Sequence, residues 1–77
     1  MEKKSSILVV DDKVGPREAL RMILKNKYEV VTAEDGDSAL EYIGKKEFYV
    51  AIIDIKMTGM DGLQLLKRIK EKKPDIE

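Results

Sequence analysis

The apolar residues of this chain change their spacing several times, and each change marks an element. Ile7-Leu8-Val9-Val10 is an unbroken apolar run that follows two serines and stops at Asp11-Asp12. A short run rich in β-branched residues predicts a strand buried on both faces, the habit of parallel sheets. Gly15-Pro16 opens a helix, with proline near the first turn, where a missing N–H costs little. Ala19, Leu20, Ile23 and Leu24 recur at helical spacing, Arg17, Arg21 and Lys25 take the other side, and Asn26 is the stop. Tyr28 to Ala33 reads as a second strand, more polar and so nearer an edge. Asp35-Gly36 is turn chemistry, and Asp37 or Ser38 can cap a second helix with Ala39, Leu40 and Ile43 on its face. Gly44 suits the left-handed position that ends it. Phe48 to Ile55 is a third, almost wholly apolar strand. A glycine-punctuated loop, Met57 to Gly62, in which Asp61 is a helix cap, then leads into a helix whose face is defined by Leu63, Leu66 and Ile69, with Leu65 as a secondary member, and which Pro74 ends.

The predicted order is β-α-β-α-β-α, which implies right-handed crossovers and an α/β fold with a parallel sheet. At 77 residues the chain is enough for one small domain, 1–77, of marginal stability. Lys plus Arg balance Asp plus Glu at 15 each, so no net field draws the protein to nucleic acid or to an anionic membrane. There is no cysteine and no histidine, which excludes disulfides, thiolate chemistry, histidine metal sites and Ser-His-Asp triads. The lack of cysteine also fits a cytoplasmic setting. No apolar run reaches the ~18 residues of a membrane span.

Three aspartates remain to be explained. Asp11 and Asp12 directly follow the first strand, and Asp54 lies near the end of the third, between Ile53 and Ile55. In open parallel sheets, ligands bind at the carboxyl ends of the strands. If strands one and three are neighbours, the three carboxylates share one crevice and repel. A hard divalent cation, Mg²⁺ by preference, is the natural compensation. Plainer readings stand beside this one: one of the first pair caps the following helix, or Asp54 is held by loop amides. Lys13 follows the acidic pair and is within reach of the pocket, but the preferred reading is a solvated loop lysine. Tyr28, Tyr42 and Tyr49 are spaced for packing, not for base stacking.

ILVVDD, GPREALRMIL, EVVTAEDGDSALEYI, VAIIDIKMTGMDG and LLKRIK, in that order, resemble the receiver domain of two-component response regulators from about Lys4 to Pro74. The resemblance implies a flavodoxin-like doubly wound sheet in which Asp54 takes a phosphoryl group from a partner histidine kinase. It implies Mg²⁺ bound by Asp11, Asp12, Asp54 and the backbone carbonyl of Lys56, and a signalling module rather than a conventional enzyme. It also points to the first helix, Pro16 to Leu24, as the kinase-docking surface. Thr58 stands where the family usually has proline. A rival class, the aspartate-nucleophile phosphohydrolases, has a D-x-D-x-[TV] pattern that Asp11-Asp12-Lys13-Val14 does not fit.

The same resemblance implies what these residues do not include. The family sheet has strand order 2-1-3-4-5, and residues 1–77 would supply only the 2-1-3 part. Strands 4 and 5, with the hydroxyl and lysine that end them, and any output domain are expected to be missing. The third strand would then have one edge without a partner in its own chain. An apolar edge of that kind predicts self-association. The leading reading is a phosphoacceptor impaired by the truncation, and the alternative is a self-associating half-domain whose isolated behaviour is oligomer assembly.

Overall fold

The computed structural model describes residues 4–54 and 61–77. The elements run β1 (Ser6–Val10), α1 (Val14–Leu24), β2 (Glu29–Ala33), α2 (Gly36–Lys45), β3 (Val50–Ile53) and α3 (Gly62–Lys72). The three strands form one parallel sheet in the order β2-β1-β3, with β1 central. The most deeply buried strand takes the middle position, and the more polar β2 lies outside it, as its composition predicts.

Register decides which residues share a face. Leu8 pairs with Val31 and Ala51, and Val10 with Ala33 and Ile53. Because side chains alternate along a strand, this set points one way, toward α2 and α3. There Leu8, Val10, Ala33, Ala39, Ile43, Phe48, Leu65, Ile69 and Ile76 form the core. Ile7 and Val9 are equally buried and turn to the other face, where α1 packs.

The helices depart from the sequence expectation in their facing. On α3 the buried stripe is Gly62, Leu65 and Ile69, while Leu63 and Leu66 are 63% and 44% exposed. Both stripes are apolar, and contact with α2 selects between them. On α1 no residue is fully buried, and Ile23 is 73% exposed. Arg17, Glu18, Leu20, Arg21 and Leu24 are the half-buried set instead. A long arginine can lay its stem on apolar surface and keep its charged end free, so Arg17 takes an inward position.

The caps also differ in detail. Asp35, rather than Asp37 or Ser38, caps α2 by accepting from the Ser38 amide at 2.8 Å. Gly44 lies inside α2 and is not left-handed; the helix runs to Lys45 and is closed by the extended residue Lys46. Asp61 caps α3 as expected, its carboxylate accepting from the Gln64 amide at 2.8 Å. The third helix ends at Lys72, just ahead of Pro74.

β3 is shorter than the predicted run from Phe48 to Ile55. Phe48 turns into the core, Tyr49 is exposed, and Ile55 lies outside the described residues. The outer edge of β3 is not bare. The Ala51 amide donates to the Glu77 carbonyl at 2.9 Å, and the Glu77 amide donates to the Tyr49 carbonyl at 3.2 Å. Ile76, 5% exposed, anchors this last segment in the core, and the Lys70 ammonium donates to the Ile76 carbonyl. The expectation of an edge with no partner in its own chain is thereby corrected.

Candidate functional site

The site is built by the sheet ladder. Val10 pairs with Ile53, so the residues that follow, Asp11 and Asp54, leave the sheet side by side. The Asp54 amide donates to the Val10 carbonyl at 2.9 Å, and the Asp11 amide donates to the Ala33 carbonyl at 3.1 Å. These two bonds fix both backbones at the carboxyl edge of the sheet, where the chain turns toward α1 on one side and leaves β3 on the other.

Asp11, Asp12 and Asp54 each offer a carboxylate oxygen to one cluster in which these atoms lie within 4.8 Å of one another. All three are half-buried; the side chains of Asp12 and Asp54 are 23% and 25% exposed. Like charges 4 Å apart repel by about 1 kcal/mol in water and roughly 4 kcal/mol at the effective dielectric near a protein surface. The cluster therefore calls for positive charge. Its donors are all hard oxygens, and partial exposure leaves room for the waters that a small divalent cation retains, so the residues fit Mg²⁺.

Asp11 has a second role. Its Oδ1 accepts from the Lys13 amide at 2.9 Å, an Asx-type turn that bends the chain between β1 and α1. Neither aspartate of the pair caps α1: the capping position is Lys13, which makes no side-chain cap bond. Arg17 closes the same turn, its Nη1 donating to the Asp11 carbonyl oxygen at 2.9 Å.

One residue at the pocket, Arg17, was not legible in the sequence, and a second, Lys13, was legible only as a residue within reach of it. Arg17 reads as the solvent side of α1, and nothing in its spacing reveals the bond to Asp11. Lys13 reads as a solvated lysine, yet its Nζ lies 3.5 Å from Asp12 Oδ1 and 3.8 Å from Asp54 Oδ2, with the side chain 63% exposed. Its place directly after the acidic pair was the only available signal. Lys56 and Thr58, which the family resemblance singles out, lie outside the described residues.

Comparison with known proteins agrees with this geometry. The response regulator receiver domain family matches residues 7–77. The hydrogenase transcriptional regulatory protein HoxA of Cupriavidus necator is 32% identical over 97% of this chain and 16% of its own length. Sporulation initiation phosphotransferase F of Bacillus subtilis is 38% identical over 83% of this chain and 52% of its own length. The crystal structure of response regulator TrrA from Thermotoga maritima, in complex with Mg²⁺-BeF, superposes with a TM-score of 0.89 at 39% identity, covering 95% of this chain and 64% of that one. The chain thus spans between 16% and 52% of these two curated relatives. With its 2-1-3 parallel sheet, its acidic strand ends and a match across nearly its whole length, the chain belongs to the response regulator receiver domain family.

Proposed function

We propose that Asp54 is the phosphoacceptor of this receiver, with Asp11, Asp12, Asp54 and the Lys56 backbone carbonyl holding Mg²⁺. The observation that carries the reading is the meeting of three carboxylates from two strand ends within 4.8 Å. Response regulators receive phosphoryl groups from sensor kinases, and the donor here is a phosphohistidine of such a partner. An oxygen of the Asp54 carboxylate attacks phosphorus in line, the P–N bond of the donor breaks, and an acyl phosphate is left on Asp54. A carboxylate is a poor nucleophile toward a dianionic phosphoryl group because both are negative. When bound, Mg²⁺ supplies the charge neutralisation that makes the approach feasible. Asp54 is held for this step by its own amide on the Val10 carbonyl, so its backbone needs no rearrangement. Kinase docking is placed on α1, where Val14, Met22 and Ile23 are more than half exposed. A cytoplasmic setting belongs to the same reading.

Acetyl phosphate with Mg²⁺, read by intact-protein mass spectrometry, tests the assignment. One phosphoryl mass is expected on the unaltered chain and none on Asp54→Asn. An adduct that survives in Asp54→Asn would overturn the assignment of Asp54, and the lack of any adduct with Mg²⁺ present would overturn the phosphoacceptor reading as a whole.

A second reading concerns the 77-residue chain in isolation: self-association as its main property. The apolar residues exposed on α1 favour it, whereas the Glu77 pairing on β3 moves the contact away from the sheet edge.

A further inference from the structure

We infer that Lys13 is a tethered counter-cation that competes with Mg²⁺ for the acidic pocket and so sets the concentration at which the pocket fills. The inference rests on the Mg²⁺ reading above. Lys13 Nζ sits between carboxylates from two different strand ends, 3.5 Å from Asp12 Oδ1 and 3.8 Å from Asp54 Oδ2. Its backbone is pinned at the rim, because its amide donates to Asp11 Oδ1. The stem therefore leaves from a fixed point one residue from the pocket, and the ammonium needs little conformational searching to return.

A protonated ammonium has no lone pair to offer a metal. It cannot serve as a ligand, and a metal held by Asp12 and Asp54 would draw on the same negative charge. The two compete for one patch of negative charge. The other cation at this turn, Arg17, donates its Nη1 to the Asp11 carbonyl, so among the described residues Lys13 is the basic side chain within 4 Å of both Asp12 and Asp54.

The contacts are loose. Both distances exceed the 2.7–2.9 Å of a tight charge-assisted bond, and the lysine is largely in water. Exposed pairs of this kind are weak, so Lys13 is displaced readily and its effect is a tuning of affinity, not a block. It offsets part of the negative charge of Asp12 and Asp54 whenever the metal is absent.

Calorimetric titration with MgCl₂ at fixed ionic strength decides the matter, comparing the unaltered chain with Lys13→Gln, Lys13→Arg and Lys25→Gln. Lys25 sits at the far end of α1 and makes the same change in net charge. Lys13→Gln is expected to tighten Mg²⁺ binding by roughly two- to fivefold, the worth of one exposed ion pair. Lys13→Arg should stay near the original affinity, and Lys25→Gln should move it less than about twofold, as screening over that distance requires. The rise in thermal midpoint on adding Mg²⁺ should also be larger for Lys13→Gln, whose metal-free form has lost its internal counter-charge. An unchanged or weakened affinity in Lys13→Gln overturns the inference. Equal tightening in Lys25→Gln also overturns it, by showing a general charge effect. If neither the unaltered chain nor Lys13→Gln binds Mg²⁺, the metal reading itself falls and the inference with it; binding that is indifferent to Lys13 sinks the inference alone.

Discussion

Asp35 shows how one side chain can organise the start of a helix and make stability depend on pH. Its carboxylate accepts from the Ser38 amide, and that hydrogen bond, followed by one from the Ser38 hydroxyl, holds its pKa below the ordinary value of 3.8. A lowered carboxylate pKa means that the unfolded chain binds the proton first. The stabilisation is therefore fully present above pH 3.8 and is lost as pH falls through the folded-state value. Asparagine caps nearly as well but does not titrate. The urea midpoint of the original chain relative to Asp35→Asn should be constant above pH 4 to 5, about where aspartate is fully ionised, and should fall at lower pH. A difference that is flat down to pH 2 to 3, roughly a unit below the usual aspartate range, would dismiss the cap as the cause. At this scale the candidate site was largely legible. An aspartate pair closing one apolar strand and a single aspartate closing another can converge only if those strands are neighbours, and the β2-β1-β3 order makes them so. Lys13 was legible only as a residue within reach of the pocket, because a flexible lysine's contacts are set by the pocket it finds and not by its spacing.

Among the elements, α3 separates what pattern can specify from what packing decides. Residues 62 to 69 contain two apolar stripes about 100° apart, one through Leu65 and Ile69 and one through Leu63 and Leu66, and a helical period alone ranks neither. The neighbouring helix α2 resolves the choice by presenting Ala39 and Ile43 to the same core as Leu65 and Ile69. Leu65→Ala should therefore cost about 2–5 kcal/mol in chemical denaturation, as a cavity at a site with no exposure does. Leu63→Ala should stay within about 0.5 kcal/mol. Equal losses at the two positions would mean that the helix is rotated from the orientation described. The strands were easier to read. β1 and β2 match their apolar runs to within a residue, whereas β3 is shorter than its run because Phe48 is apolar for the sake of the core rather than the ladder.

At the level of the whole molecule, the two faces of the sheet are unequally covered. The α2–α3 side holds the contiguous core, whereas α1 buries none of its residues fully and leaves Val14, Met22 and Ile23 mostly exposed. Large apolar side chains left in water on one helix favour contact with another surface. Sedimentation velocity of the 77-residue chain should show concentration-dependent association across the micromolar range, and Met22→Lys with Ile23→Glu should reduce it. A sedimentation coefficient independent of concentration in the unaltered chain would refute the expectation.

The pairing of Val10 with Ile53 has a consequence for reading related sequences. The strand acts as a ruler. One residue removed between Val50 and Ile53 would draw the terminal acid back by about 3.3 Å and turn it to the opposite side. A homologue that keeps every one of the three acids yet carries such a gap has lost its chemistry while retaining its letters. The same deletion placed ahead of Phe48, in the connection from α2, would leave the ruler intact and the pocket assembled.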